Sequence, residues 1–263
     1  MNLGGRTFER LSRELKRYRF PAVAFSGGTD SAFLLAVVRR IFGERVLAIT
    51  VDFPYIPRRT IRRSEDIAQL LKVNHIILRD EDILVEKEIA YNRRLRCYVC
   101  KKKMMGLIRG VAEEEGCDVV LDGTNTDDLR EMRPGLKALE ELGVVSPLAA
   151  VGITRRGVEE LARELGVPIN PPETCILTRL PLNTPVDVDL VRRIDLAEEI
   201  VIQIAEVSLV RVRYWNGGVR IEVLPSEIDK LVRDEVRGKI NSEISSLGFY
   251  PVTLDLEGYN RSR

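Results

Sequence analysis

The chain has 263 residues, 44% of them hydrophobic, with 41 basic side chains against 40 acidic ones. That apolar content suffices for one large or two modest globular domains, and with a net charge of +1 nothing in the bulk charge demands a nucleic acid or a membrane surface, so any binding patch is local. The first 19 residues lack an apolar signal segment and no apolar run reaches membrane-spanning length, so a cytoplasmic location is expected, where the four cysteines serve as thiols and not as disulfides.

Residues 20–25 form a short apolar run that reads as a strand, and residues 32–41 have the spacing of an apolar helix. A buried strand at 46–51 follows, then a proline-punctuated loop at 54–57, a helix at 60–71 and a third strand at 75–78. A charged segment leads to Cys97 and to a helix over 102–115, and residues 119–121 form a fourth strand. Uninterrupted apolar strands alternating with helices predict an α/β fold, a doubly wound parallel sheet covered on both faces. Residues 144–148 are expected to add a fifth strand, and 155–165 a helix closed by Gly166 and Pro168. Asn170-Pro171-Pro172 cannot continue a helix and places a boundary between a domain of residues 1–170 and a smaller one of residues 171–263. The second reads as a C-terminal α+β unit: a helix at 187–205, a hairpin of 209–214 and 219–224 around Asn216-Gly217-Gly218, a helix at 226–247 and a strand at 250–254.

The chemistry begins at Ser26-Gly27-Gly28-Thr29-Asp30-Ser31, between the first strand and the first helix of the sheet. A glycine-rich turn there presents backbone N–H groups and the positive end of the helix dipole to an anion, with hydroxyls of Ser26, Thr29 and Ser31 as further donors. Phosphate fits; a tight turn capped by Ser26 is the competing reading. No Gly-Lys-Ser/Thr follows, which argues against a γ-phosphate-transferring P-loop. Asp122-Gly123-Thr124-Asn125 with Asp127 and Asp128 follows the fourth strand, at the sheet edge where open α/β folds bind ligands, so Gly123 and Thr124 are expected to meet the same nucleotide.

The loop resembles the Ser-Gly-Gly-x-Asp-Ser signature of the PP-loop ATP-pyrophosphatase superfamily, whose members have the adenine nucleotide alpha hydrolase-like fold and cleave ATP between its α- and β-phosphates. The resemblance implies that residues 26–31 hold the leaving pyrophosphate, that Asp30 supports a magnesium ion, and that Asp52 and its strand-end neighbours border the adenosine.

Arg96-Cys97-Tyr98-Val99-Cys100-Lys101 places two thiols at a spacing that can share a metal or cluster, and Arg93, Arg94, Arg96 and Lys101 to Lys103 add positive charge that favours thiolates and phosphate oxygens. Lys101 is a candidate catalytic cation. Cys175 follows the proline pair as the candidate third thiol, whereas Cys117 and His75 read as structural. These pieces, with Arg133-Pro134-Gly135, Ser146-Pro147-Leu148, Arg211-Val212-Arg213 and Arg220-Ile221-Glu222, resemble the LarE-type ATP-dependent sacrificial sulfur transferases of nickel-pincer nucleotide synthesis.

That resemblance implies adenylylation of a carboxylate on a pyridinium dicarboxylate mononucleotide, followed by displacement of AMP by sulfur. Cys97, Cys100 and Cys175 look like the arrangement that holds a 4Fe–4S cluster; the other route has Cys175 give up its own sulfur. Zinc at these thiols needs a fourth ligand, for which Cys117 or His75 is available. Arg211 and Arg213, two apart on one strand face, match arginines that bind phosphate, with Glu222 and a glutamate at 198 or 199 pairing with them or holding a cation. A homotrimer or hexamer and a separate sulfide-donor protein are the implied partners. A tRNA thiolase is the enzymatic alternative, which the balanced charge disfavours. A non-catalytic ATP sensor and an ammonia-using synthetase are the others.

Overall fold

The computed structural model describes residues 3–130 and 134–260. Arg133 of the Arg-Pro-Gly motif lies outside the described residues. The chain divides into two compact units, one of residues 1–53, 58–89 and 94–173, the other of residues 54–57, 90–93 and 174–263. The two short segments assigned to the second unit interrupt the first in sequence, which a linear boundary near residue 170 does not anticipate.

The first unit opens with helix α1 (Leu3–Leu15) and continues through β1 (Pro21–Ala24), α2 (Thr29–Phe42), β2 (Leu47–Asp52), α3 (Arg58–Leu71) and β3 (Asn74–Arg79). After the short α4 (Lys87–Ala90) come α5 (Arg96–Glu114), β4 (Val119–Leu121), α6 (Thr126–Arg130), α7 (Pro134–Glu141), α8 (Pro147–Ala150) and α9 (Arg155–Glu164). The four strands form one parallel sheet in the order β3-β2-β1-β4. All residues of β1 and β2 are buried, as their unbroken apolar runs require, while the edge strand β3 is only partly covered. Right-handed crossovers put α2 and α3 on one face and α5 on the other. Leu11, Leu15, Leu34, Leu35, Val38, Ile67, Val158 and Leu161, from α1, α2, α3 and α9, share one buried cluster. Each such side chain contributes roughly 1.5–3 kcal/mol by burial.

Two expectations for this unit are corrected. The fifth strand is reduced to an isolated parallel bridge between Leu121 and Val145, because Pro147 has no N–H for a ladder and instead opens α8. The cysteine helix begins at Arg96 and not at 102, so Cys97 and Cys100 lie within α5.

The second unit contains α10 (Val188–Ala205), the antiparallel hairpin β5 (Val210–Trp215) and β6 (Gly218–Val223), helices α11 (Ile228–Val232) and α12 (Asp234–Ser246), and β7 (Val252–Leu254), which pairs parallel to β6. The single helix expected at 226–247 is two, broken at Arg233, whose ψ of 132° is extended. Asp187 caps α10 by accepting from the N–H of Asp189. No helix among the described residues is long and apolar enough to cross a membrane.

A buried ion pair organises this unit. Arg179 Nε donates to Glu198 Oε1 at 2.7 Å and Nη2 to Oε2 at 3.1 Å, and both side chains are fully buried. Glu198 Oε1 also accepts from the N–H of Val212 at 2.9 Å, which ties α10 to β5. Removing one member of such a pair leaves the other uncompensated. Arg179→Ala is expected to lower the free energy of unfolding by about 3–5 kcal/mol, read from urea denaturation followed by Trp215 fluorescence.

Candidate functional site

The strand order reverses at β1, whose neighbours are β2 and β4, so a crevice opens beyond the carboxyl ends of β1 and β4. The loop of residues 25–28 leaves β1 there. Phe25 N–H donates to Ile49 O, and Thr50 Oγ1 donates to Phe25 O at 2.6 Å, so the loop starts from a rigid edge. Gly27 has φ +70°, and a Cβ built on it would stand 2.9 Å from the backbone N of Ser64 in α3. Only glycine meets both demands. Gly28 is the N-cap of α2 and supplies no side-chain cap, so the first N–H groups of that helix are not claimed by a capping side chain. Ser26 Oγ and Ser31 Oγ lie 3.1 Å apart, and Ser31 Oγ donates to Gly28 O at 3.1 Å, closing the turn.

Gly123 approaches the same helix from the other side, and its Cβ would stand 2.8 Å from the N of Ser31. The carboxylate of Asp122 accepts from Thr124 Oγ1 at 2.7 Å and from Ser146 Oγ at 2.6 Å, and lies 3.6 Å from Lys101 Nζ. Lys101 is thereby carried by α5 to the carboxyl end of β4. Asn125 Oδ1 accepts from the N–H groups of Asp127 and Asp128, and Asn125 Nδ2 lies 3.4 Å from Asp30 Oδ1. Arg155 Nη2 donates to Asp128 Oδ1 at 2.9 Å.

Burial, and then the nearby charge of Asp128, push the Asp30 carboxyl up to about 6; the Asn125 hydrogen bond and Arg155 only partly offset them. A carboxyl in this position gains from any cation that enters the crevice. His75 is pushed down to about 4 by burial and is neutral at pH 7, 2.7 Å from Thr50 Oγ1, whose own proton goes to Phe25 O; it is a structural residue.

Thr29 Oγ1 accepts from the N–H of Asn170 at 3.0 Å and lies 3.3 Å from Asn170 O, while Asn170 Nδ2 donates to Gly27 O at 3.3 Å. The asparagine that reads in sequence as mere punctuation before two prolines therefore clamps the phosphate loop. Asp52 is paired in bidentate fashion with Arg58 at the start of α3. The Asn170 partnership has no sequence signature, since it joins loops brought together by the sheet.

Cys97 is exposed and Cys100 partly exposed, three residues apart in the first turns of α5 and so on one helical face. Cys117 is pushed up to about 11 by burial and by Asp118 and Glu115, which leaves it a protonated, inert thiol. Cys175 belongs to the second unit. Ile176–Arg179 form a 3₁₀ turn immediately after it, fixed from several directions. Arg179 Nη1 donates to the carbonyls of Thr174 and Cys175 at 3.1 Å each. The fully buried Asn92 donates through Nδ2 to Leu177 O, Leu180 O and Pro181 O. Arg179 and Asn92 were not found from the sequence, because isolated polar residues in a loop carry no period or spacing.

On the hairpin, Arg211 faces Glu222 and Arg213 faces Arg220 across the strands. Arg213 Nε and Arg220 Nη2 both donate to Glu222 Oε1, at 2.7 and 2.9 Å. Arg213 and Arg220 line a cavity of about 470 Å³ with Thr178, Tyr214, Trp215 and Thr253. Glu198, one of the two glutamates expected to pair with the hairpin arginines, is bound to Arg179. Among the described residues no group of three or more His, Cys, Asp or Glu side chains is placed to hold a metal ion.

No family model matches the chain. It is 31% identical over 257 residues, 96% of its length and 91% of the relative's, to the pyridinium-3,5-bisthiocarboxylic acid mononucleotide synthase of Lactiplantibacillus plantarum. An uncharacterised protein of Synechocystis is 32% identical over 92% of this chain and 90% of its own length. A tRNA-cytidine(32) 2-sulfurtransferase of Paracoccus denitrificans is 30% identical over 58% of this chain and 57% of its own.

The Asp30 environment has a measurable consequence. Its carboxyl is held near 6 in the fold against 3.8 ordinarily, so the folded state favours the protonated form. The stability this confers is complete below pH 3.8 and is lost as pH rises through about 6. Without divalent cations, Asp30→Asn is expected to gain on the wild type by on the order of 2–3 kcal/mol between pH 4 and pH 7.5 in urea-unfolding titrations. Parallel pH profiles would show that the carboxyl is not held up.

Proposed function

Since the chain belongs to the LarE-type sulfur-transferase family of the PP-loop ATP pyrophosphatases, we propose that it uses ATP to adenylylate a carboxylate of a pyridinium dicarboxylate mononucleotide and then replaces an oxygen with sulfur. The observation that carries this reading is the phosphate loop itself, an uncapped helix N-terminus beside a half-buried carboxylate at the switch point of the sheet. The N–H groups at the start of α2, with Ser26 and Ser31, receive the phosphates that leave as pyrophosphate. Asp30 supports the magnesium ion that accompanies them. Asp52, Gly123 and Thr124 border the nucleotide, and Lys101, held beside Asp122, offsets charge that develops at the α-phosphate.

In the first step a carboxylate oxygen of the substrate attacks the α-phosphorus and the bond to the β-phosphate bridging oxygen breaks. Pyrophosphate departs and an acyl-adenylate remains. A sulfur nucleophile then adds to the acyl carbon and AMP leaves with the bonding pair, giving a thiocarboxylate. Activation is needed because a carboxylate oxygen is otherwise a poor leaving group. Arg211 and Arg213, the latter paired with Glu222, are the proposed site for the substrate's phosphate.

The thiols of Cys97, Cys100 and Cys175 handle the sulfur, and the braced 3₁₀ turn that follows Cys175 supports the backbone that carries its thiol. Joining of the three by a 4Fe–4S cluster, with sulfide from a donor protein, is the finer part of the proposal, as are a trimeric or hexameric assembly and a cytoplasmic location. A second reading, transfer of sulfur to tRNA, is favoured by the shorter similarity to a tRNA sulfurtransferase.

Pyrophosphate release from ATP is expected to depend on the pyridinium dicarboxylate mononucleotide and not on tRNA. Cys175→Ala is expected to keep that release while losing thiocarboxylate formation by at least two orders of magnitude, read by mass spectrometry of the product. Anaerobically purified protein is expected to hold about four irons per chain, falling on replacement of Cys97 or Cys100. Iron-free protein that loses one sulfur mass from Cys175 per turnover would place the sulfur in the cysteine itself.

A further inference from the structure

Helix α3 forms one wall of the phosphate loop. The carbonyl of Thr60 and the N and Cα of Ser64 stand within 3.2 Å of where a Cβ on Gly27 would lie, so the loop backbone rests directly on the second turn of this helix. Arg63 sits beside Ser64 on that turn and is partly buried. The charged groups that act on it are Glu173, which favours its charge, and Arg59, which opposes it. The carboxylate of Glu173 is already engaged by Arg59, Nε to Oε2 at 2.7 Å, in a well-covered pair. Glu173 itself comes from the segment that Asn170 fastens to Gly27 and Thr29. Two guanidiniums therefore share one carboxylate next to the phosphate loop. For Arg63 no hydrogen bond or ion pair is closed among the described residues.

A half-covered guanidinium without a closed pair costs stability, and burial and Arg59 together hold its pKa below the ordinary arginine value. Such a charge is retained where a ligand supplies the counter-charge. An anion seated on the first N–H groups of α2 lies against the same glycine backbone that α3 supports. A planar fork of donors suits phosphate oxygens better than any other group an ATP-cleaving site contains.

We propose that Arg63 is a phosphate-binding residue of this site, donating to a β- or γ-phosphate oxygen of ATP and holding the pyrophosphate that leaves, with Arg59 and Glu173 positioning it. The proposal rests on the ATP-cleaving reading above. It goes beyond the glycine-rich loop by placing a second, side-chain anchor on the neighbouring helix. That anchor acts on the leaving group and leaves the adenylate alone. Charge that accumulates on the bridging oxygen as the α–β bond breaks is then met by a fixed cation.

The test compares the full-length wild type with Arg63→Gln and Arg63→Lys by calorimetry in a magnesium-containing buffer, with inorganic pyrophosphate and AMP as separate probes. Loss of a charge-assisted hydrogen bond is expected to weaken pyrophosphate binding about 10- to 100-fold in Arg63→Gln, with AMP affinity changed less than about twofold. Arg63→Lys, which keeps the charge without the fork, is expected to fall between. The thermal midpoint of unliganded Arg63→Gln is expected to match or exceed that of the wild type, because a poorly compensated charge has been removed.

Unchanged pyrophosphate affinity in Arg63→Gln overturns the proposal. So does an equal loss for AMP and pyrophosphate with a lowered midpoint, the mark of a residue that merely holds the fold. Wild-type protein that binds neither ATP nor pyrophosphate overturns the ATP-cleaving reading and this proposal together, whereas wild-type binding with an unaffected variant overturns this proposal alone.

Discussion

Two glycine backbones pressed against helix backbones set the geometry on which the rest of the first unit depends. Gly27 lies on α3 and Gly123 on the first turn of α2, each at a distance that no Cβ tolerates. Because of these two contacts, β1 and β4 deliver their loops to opposite sides of one helix N-terminus, and the N–H groups of that terminus point into the crevice between them. Asn170 then locks the loop from outside, through the hydroxyl of Thr29 and the carbonyl of Gly27. In the proposed reaction, donors held in place beforehand need not reorganise as charge develops on a leaving phosphate.

The buried charges fall into two kinds. Arg179 and Glu198 are fully covered, doubly hydrogen-bonded to each other and further satisfied by backbone groups, so they behave as part of the framework. Around the phosphate loop the accounts are left open. Asp30 is burdened by Asp128 with only partial relief from Asn125 and Arg155, and Arg63 shares a carboxylate already held by Arg59. If Arg63 faces the phosphates as proposed, the two opposite charges left under-compensated suit a ligand that carries both signs, such as a polyphosphate with its metal ion.

The thiols sort by environment in the same way. Cys117 is kept protonated by burial and two acidic neighbours, which removes it from nucleophilic chemistry. Cys97 and Cys100 stand on one face at the start of a helix with basic residues on either side. Cys175 is exposed only as far as a braced turn allows, its own carbonyl gripped by Arg179 and the residues after it by Asn92. In the proposed reaction Cys175 gains from such bracing, since misplacement of the reacting atom is expensive in rate.

The parallel sheet, its strand positions and the phosphate loop were legible in the sequence, because uninterrupted apolar runs and a glycine-rich strand-to-helix turn are local patterns with one physical solution. The hairpin around Asn216-Gly217-Gly218 was legible for the same reason. The extra strand at 144–148 was over-read, since apolar character alone does not reveal that Pro147 stops the ladder. What only the tertiary structure decided were the long-range partnerships: Asn170 with the phosphate loop, Arg179 with Glu198, Arg59 with Glu173 beside Arg63, and residues 54–57 and 90–93 with the second unit. Local patterns fix backbone conformation because their causes act over a few residues; a polar side chain's partner depends on which distant loop the sheet brings within 3 Å, and no spacing in the chain encodes that.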